Sequence, residues 1–426
     1  MSTTTNATST QPQAPVPKLG RPFHLLWAGE TVSLLGNATS AVLLPLLSVT
    51  MLAVTPTQMG LLTAAAWLPW LVVGLPAGAW VDAAPPRRVM IAADLAAAAA
   101  LASIPVAAWL GVLTWWHLMV VALITGTATV FFRPAYSKLV AQLVPPELLE
   151  RANARLIGSE SATHIVGPGL GGVMARVFTI PIGILIDAAS FVVSAICLWR
   201  IGPTSPRIGS ARPRPKASLF AQIAEGVRFV FSDRTLRAFT IIGGLSNFGL
   251  TGYQTLLVLF LIRQVGLTET DVGTVLMVGA VGGLAGTVVA RQLSERLGAG
   301  RTSTLLLLVS GPSAILIPLV DQAGQIWVSV LGLALVGLTV VAGNVVRGAW
   351  SQRYVPDRIM GRTVTARQVV NFGTMPIAAV AAGLLGDRLG VQPAMLTMAA
   401  VHAVACLSVL LTRVGRQRDL PAPRAD

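Results

Sequence analysis

The chain has 426 residues, of which 54% are hydrophobic and only 11% charged, with a mean hydropathy of +0.72. A soluble domain carries about 25% charged residues, so this composition excludes a water-facing globular surface and sets the apolar excess against lipid. The net charge of +14 would point to nucleic acid in a soluble protein, but the basic residues fall between apolar runs and in the tails, a pattern of membrane orientation that excludes a nucleic-acid partner.

Residues 1–20 are polar and rich in Ser, Thr and Pro, and are expected to form a disordered cytoplasmic tail. A membrane helix needs about 20 apolar residues. The apolar runs predict about twelve passes, over 23–51, 57–81, 88–112, 115–140, 157–179, 181–202, 236–262, 272–295, 302–322, 324–347, 363–387 and 392–413. Residues 21–202 then form one six-helix bundle and 236–415 a second, with a cytoplasmic tail over 416–426. Between the bundles, 203–217 is rich in Pro, Ser and Arg and cannot cross a membrane. After it, Phe220, Ile223, Val227, Val230 and Phe231 share one face, which predicts an amphipathic helix on the inner membrane surface within a 203–235 linker. The other reading, a continuation of the seventh pass, is disfavoured by Glu225, Arg228 and Asp233.

With the N-terminus in the cytoplasm, Arg87, Arg88, Arg151, Arg155, Arg296, Arg301, Arg353, Arg358, Arg362 and the basic linker all fall inside, whereas the outer turns hold only Arg176, Arg263 and Arg388. Basic residues favour the inner face, so both termini are expected in the cytoplasm and the number of passes is even.

The halves repeat. Gly60 of TPTQMG and Gly273 of TETDVG are 213 residues apart, as are Asp82 and Glu295, and Arg88 and Arg301. Arg133 and Arg347 are 214 apart, and Val144 and Val355, like Gly172 and Gly383, are 211 apart. Two parallel halves of this kind place a substrate path at their interface near the bilayer midplane, served by rocking of one half against the other. The fold class expected is all-α, a polytopic membrane protein of two pseudo-symmetric six-helix bundles.

Gly78-Ala-Trp-Val-Asp82-Ala-Ala-Pro-Pro-Arg87-Arg88 resembles the loop 2–3 signature of the major facilitator superfamily, and the resemblance covers about residues 20–415. LLWAGETVSLLGN at 25–37 and NARLIGSESATHIVGPGLGG at 153–172 look like the branch that includes the enterobactin exporter and macrolide-efflux-like proteins. The Arg that usually follows the loop Asp is Ala83 here. The resemblance implies a gate role for Asp82 with Arg87 and Arg88; a plain topology signal is the other reading. Arg133 and Arg347 lie near the inner ends of helices 4 and 10, where Asp82 and Glu295 are available as partners in a symmetric set of salt bridges. The alternative is a pair of snorkelling arginines.

Gly167, Pro168, Gly171 and Gly172 on helix 5 permit close backbone packing and a bend. They match part of the superfamily's antiporter motif, with Thr163 in place of its upstream Gly. The resemblance associates that segment with exporters; a packing role alone is the other reading. Acids are few inside the predicted passes. Glu30 and Asp187 are the deepest, with Asp94 nearer the inner surface, and they are the candidates for proton coupling. Glu30 leads, among Thr31, Ser33 and Asn37; a structural carboxyl is the alternative, and His164 is a weaker candidate. By resemblance the cavity draws on helices 1, 4, 7 and 10, where Asn37, Tyr136, Asn247, Tyr253, Gln254 and Asn344, with Phe248 and Trp350, suit a partly apolar small molecule.

Cys197 and Cys406 lie in apolar runs and the four histidines are scattered, so no metal set or disulfide framework is expected. No Gly-rich loop ending in Lys-Ser or Lys-Thr is present, and no nucleophile–base pair shares one depth. The expectation is a monomeric secondary transporter without a cofactor, neither an enzyme nor an ATPase, exporting a drug, antibiotic or siderophore-like compound against protons. An importer of the same fold and a non-transporting sensor or scaffold are the alternatives. The even, parallel topology is checked by thiol labelling. Cysteines introduced at Arg88 and Arg301 should react from the same, cytoplasmic side, and reaction from opposite sides would break the scheme.

Overall fold

The computed structural model describes residues 19–202 and 219–422. The expected tail over 1–18, the Pro-Ser-Arg segment at 203–218 and residues 423–426 lie outside the described residues. The N-terminal half contains α1 (Arg21–Thr50), α2 (Pro56–Val72), α3 (Gly74–Ala83), α4 (Pro86–Trp109), α5 (Trp115–Leu143), α6 (Leu149–Val177) and α7 (Ile180–Arg200). The C-terminal half contains α8 (Leu219–Ser232), α9 (Arg234–Arg263), α10 (Glu269–Leu297), α11 (Ala299–Leu316), α12 (Ile326–Tyr354), α13 (Asp357–Leu389) and α14 (Val391–Leu407). Among the described residues ten helices are long and apolar enough to cross a membrane. The two expected passes outside that set are α2–α3, broken at Val73-Gly74, and α6, whose path-facing side is polar. The chain is therefore a multi-pass membrane protein, with ten such helices among the described residues.

Helices are the only open-ended solution here, because lipid satisfies no backbone N–H or C=O. Local chemistry sets their starts. In TPTQMG, Thr55 Oγ1 accepts from Gln58 N at 3.2 Å and Gln58 Oε1 accepts from Thr55 N at 2.9 Å. In TETDVG, Thr268 Oγ1 accepts from Asp271 N at 3.3 Å and Asp271 Oδ2 from Thr268 N at 3.2 Å. The sequence repeat is thus a repeated capping box, opening α2 and α10.

The packing repeats as well. In the first bundle α1 packs on α6 and α7, α4 on α5 and α7, and α2 on α5. In the second, α9 packs on α13 and α14, α11 on α12 and α14, and α10 on α12. Exchanging the halves also turns the first inter-bundle contact, α2 on α13, into the second, α6 on α10.

The amphipathic helix α8 packs on α13, with Gly226 against the Arg362 carbonyl, Glu225 paired with Arg362, and Val230 buried. It is distinct from α9, because Asp233 caps α9, accepting from Thr235 N at 2.9 Å and Leu236 N at 2.8 Å, and also accepts from Tyr354 Oη at 2.6 Å. The last described residues are tied to the second bundle. Arg418 O accepts from Gly300 N at 3.0 Å and Arg301 N at 3.1 Å, Pro421 O accepts from Trp350 Nε1 at 3.0 Å, and Leu420 is buried.

The turn joining α6 to α7 runs through Thr179 at φ 98° and ψ 147°, and the turn joining α13 to α14 through Gly390 at φ 93° and ψ 158°. The two positions are 211 residues apart, so the repeat places a threonine where its counterpart is glycine. That backbone region is essentially glycine's own and costs other residues about 1–3 kcal/mol. Thr179→Gly should therefore raise thermal stability in detergent by about 1 kcal/mol, read as an upward shift of the unfolding midpoint.

Candidate functional site

The bundles meet at one end only. Call the end holding the linker and the described chain termini the basic end, and the opposite one the far end. At the far end, a Cβ added to Gly273 of α10 would lie 2.7 Å from Gly172 Cα and 2.7 Å from Pro168 O of α6. In the symmetric seam, a Cβ on Gly383 of α13 would lie 2.6 Å from Pro56 O and 2.9 Å from Thr57 Cα of α2, and one on Gly60 would strike Ala379 and Gly383. These four glycines are two of the repeat pairs. Two polar contacts finish the seal: Thr57 N donates to Asp387 Oδ2 at 3.2 Å, and Thr270 Oγ1 to Gly172 O at 3.4 Å.

Toward the basic end both seams part. Phe372 of α13 closes the α2 seam against Trp67 and Trp70, at 5.9 and 5.2 Å between ring centroids. Beyond it a gap of about 240 Å³ opens, lined by Gly74 and Gly78 on one side and Thr365, Gln368 and Val369 on the other. In the α6–α10 seam, Gly169 abuts Met277, and beyond that contact lies a cavity of about 400 Å³. Its walls are mostly apolar, from Leu250, Leu276, Leu333, Val336 and Val340, with Ser161, His164, Tyr253 and Gln254 as polar points. Two of the six cavity candidates, Tyr253 and Gln254, therefore line it. His164, ranked below the acids by sequence, lines it too.

A second, smaller cavity of about 60 Å³ lies inside the first bundle. It brings together Glu30, Asn37, Asp94 and Arg133 from α1, α4 and α5, beside Phe132 and Phe191. Glu30 is half-buried and interacts electrostatically with Asp94, Arg133 and Glu160. Asp94 is 1% exposed and hydrogen-bonded to Ser194, while its Oδ2 has no partner among the described residues. Burying a carboxylate with an unpaired oxygen is costly in lipid. Asp187 does not join this cavity. It is wedged between α7 and Gly36 of α1, where Ser190 Oγ donates to its Oδ1 at 3.2 Å. Tyr136 stacks on Phe132 at 6.2 Å, and Asn247 is half-buried on α9.

With the basic end open, the residues of the expected salt-bridge set have other partners. Arg133 pairs with Glu160 of α6 at 3.6 Å, and Glu295 pairs within its own helix with Arg291 at 2.8 Å. A carboxylate one turn away on the same helix is within reach whatever the bundles do. Arg347 has no carboxylate partner among the described residues. It donates to Asn344 Oδ1 at 3.2 Å and lies 6.0 Å from the centre of the Phe239 ring. At the loop signature, Arg87 Nε donates to Leu198 O at 2.7 Å and its Nη2 to Trp199 O, so it holds the end of α7. Lys138 Nζ donates to Val81 O at 3.1 Å and Ala84 O at 3.3 Å and holds the end of α3. Arg88 and Arg301 are exposed; the side chain of Asp82 lies outside the described residues.

Glu160, Lys138 and Asp387 escaped the sequence reading. Glu160 was findable, because it lies seven residues before Gly167 and hence on the same helical face. In α6 itself, Gly167 sits against Ala38 and Gly171 against Thr39 O, so these two serve the α1 seam while Gly172 serves the other bundle.

The halves differ in charge. Carrying the repeat offsets across, Glu30 corresponds to Gly243, Asp94 to Leu307 and Glu160 to Asn371. Each of these three carboxylates thus has an uncharged counterpart in the second half.

The chain matches the sequence profile of the Major Facilitator Superfamily over residues 26–379. It belongs to that superfamily. Among sequence relatives, macrolide efflux protein A of Streptococcus pyogenes is 26% identical over 410 residues, covering 93% of this chain and 97% of the relative. The multidrug efflux pump Tap of Mycobacterium tuberculosis is 26% identical over 390 residues, covering 87% and 88%. Among solved structures, the nucleoside transporter NupG superposes with TM-score 0.73 at 12% identity, covering 92% of this chain and 98% of the other. A bacterial homologue of the iron transporter ferroportin gives 0.70 at 17%, covering 92% and 99%. These likenesses carry the fold. A major facilitator protein is a transporter of small molecules, not an enzyme, and this one has efflux pumps as relatives.

The far-end seal is open to test. Gly273→Val would put a branched side chain where only a hydrogen fits and cost that closure about 1–3 kcal/mol, roughly tenfold in population or more. In a background with Cys197 and Cys406 replaced by Ala, a cysteine at Gln254 should react faster with an impermeant thiol reagent added from the far side once Gly273→Val is introduced.

Proposed function

We propose that the chain is a proton-coupled exporter of a bulky, partly apolar drug-like compound, working by alternating access with its basic end in the cytoplasm. The observation that carries this reading is the wedge between the bundles: sealed by glycine at the far end and open toward the basic end. With that end in the cytoplasm, as the distribution of arginines favours, this is the state that loads substrate from inside. The large cavity offers apolar walls with Tyr253, Gln254, Ser161 and His164 as orienting groups, a lining suited to an amphipathic molecule. The names of the relatives, macrolide efflux and multidrug efflux, support export and substrates of that kind.

Proton coupling is assigned to the Glu30–Asp94 cavity. Arg133 borders it and reaches Glu160 on α6, the helix that lines the substrate cavity through Ser161 and His164. A proton arriving at Glu30 or Asp94 changes the charge balance around Arg133 and so the hold of Arg133 on Glu160, one residue from the cavity wall. That gives substrate and proton a shared element, which antiport requires. Asp82, Arg87 and Arg88 are assigned to the loop that closes the basic end in the opposite state.

The test is efflux from a pump-deficient bacterial host loaded with a panel of amphipathic compounds, macrolides included. Wild type should lower accumulation of at least one compound, and a proton uncoupler should abolish the effect. Glu30→Gln should express normally and extrude no better than the empty host in the presence of a gradient. Full gradient-driven efflux by Glu30→Gln would remove Glu30 from the coupling site, and inward accumulation in vesicles of known orientation would reverse the direction.

A further inference from the structure

Several basic-end arginines have a partner: Arg133 has Glu160, Arg291 has Glu295, Arg362 has Glu225, and Arg87 has two carbonyls. Three others are set apart by converging on one pocket. Arg234 and Arg237 at the start of α9 and Arg413 just after α14 line one pocket of about 410 Å³ on the outside of the second bundle. No carboxylate among the described residues lies within ion-pair distance of any of them. The nearest acid in sequence, Asp233, is spent on the α9 cap and on Tyr354. Arg237 gives one bond of 3.3 Å to Phe231 O and keeps its other donors.

The pocket's position is as informative as its charge. It lies where α9 and α14 reach the basic end of the bundle, the end where basic residues favour the membrane surface. Its other walls are Ala238, Ile241, Val414 and Pro421, with Thr235, Thr412 and Gln417 as neutral polar groups. Along α9, positions 234, 237, 238, 241 and 245 fall on one face, and Ile241 and Leu245 are 45% and 49% exposed. Just before Thr412 in the chain, Leu410 and Leu411 are 49% and 90% exposed. The face therefore runs from three cations directly into an apolar track toward the membrane interior. A free anion would need only the cations; an apolar track leading away from them is what a headgroup with attached acyl chains requires.

We propose that this pocket is a binding site for an anionic phospholipid, its phosphate held by Arg234, Arg237 and Arg413 and its acyl chains laid along Ile241 and Leu245. Guanidinium groups suit the role, since they present paired donors to phosphate oxygens. Occupancy would tie the start of α9, the linker end at Asp233 and the chain end at Thr412–Pro421 to one lipid. The site rests on membrane embedding and on the geometry of the second bundle, not on the transport reading.

The test uses the full-length protein, delipidated in a neutral detergent, with phosphatidylglycerol, phosphatidylcholine of the same chains, or inorganic phosphate added. Thermal unfolding and native mass spectrometry read stabilisation and bound lipid. Wild type should retain and be stabilised by phosphatidylglycerol well above phosphatidylcholine. Each of Arg234→Gln, Arg237→Gln and Arg413→Gln should weaken apparent affinity about fivefold, and the triple variant should remove the preference. Arg291→Gln, at the same end but outside the pocket, should leave the preference intact. Should the triple variant fail to fold, the three single variants decide the matter. Equal binding by wild type and the pocket variants would overturn the proposal, as would stabilisation by inorganic phosphate matching that by the lipid.

Discussion

The architecture depends on the contact of backbone with backbone at the far end of the two seams. In lipid no hydrophobic force draws helices together, because the surrounding chains are as apolar as the side chains; association comes from close packing and interhelical polar contacts. Dispersion is short-ranged, so the strongest contacts form where side chains are absent. Gly172 on Gly273, and Gly60 on Gly383, supply such contacts between bundles. Within bundles, Gly167 on Ala38, and Gly282 and Gly286 on Ala334 and Leu338, do the same. The wedge is a consequence of placement: the inter-bundle glycines fall in the far-end turns of their helices, so the bundles are clasped there and diverge elsewhere.

On that symmetric frame the chemistry is asymmetric. Acids at Glu30, Asp94 and Glu160 surround Arg133, whereas Gly243, Leu307 and Asn371 occupy the matching places in the second half. Charge inside a membrane protein is expensive, and a coupling site of the kind proposed needs it once. Two arginines of the second bundle sit on neutral partners: Arg347 on Asn344 and the Phe239 ring, Arg367 on Ser351 Oγ at 3.2 Å. The duplication supplied two equal scaffolds, and the broken pairs mark where one was specialised.

What the sequence made legible, and what it did not, divides along a physical line. The repeat was readable because capping boxes and glycine seams demand particular residue types at fixed positions, and TPTQMG, TETDVG, Gly172 and Gly383 carry both demands in plain text. Helix 5 was readable despite its polar side, since its apolar stripe continued past Ser159, Glu160 and His164. Pairings across helices were not readable. Arg133 reaches Glu160 of α6, and Lys138 rather than an arginine holds the α3 carbonyls, because such choices turn on side-chain reach between helices distant in sequence. The same holds for α8, whose amphipathic period was evident while its packing on α13 was not. Broken symmetry hid the rest: once Glu160 faces Asn371, comparison of the halves no longer flags it.

The composition of the seams also bears on how easily the state described here would give way to its opposite under the alternating-access reading. The far end is held by dispersion between glycine backbones and by two hydrogen bonds, each worth about 0.5–1.5 kcal/mol net. Nothing there is a buried ion pair whose rupture would strand a charge, so opening that end exposes little that water cannot satisfy. The basic end is the reverse, rich in cations and acids that attract at longer range and gain from closure. The exchange is therefore between short-range packing at one end and electrostatics at the other, with opposite dependence on geometry. A single proton, or one bound molecule, can decide which end is open only through a differential affinity for the two states that matches the gap between them.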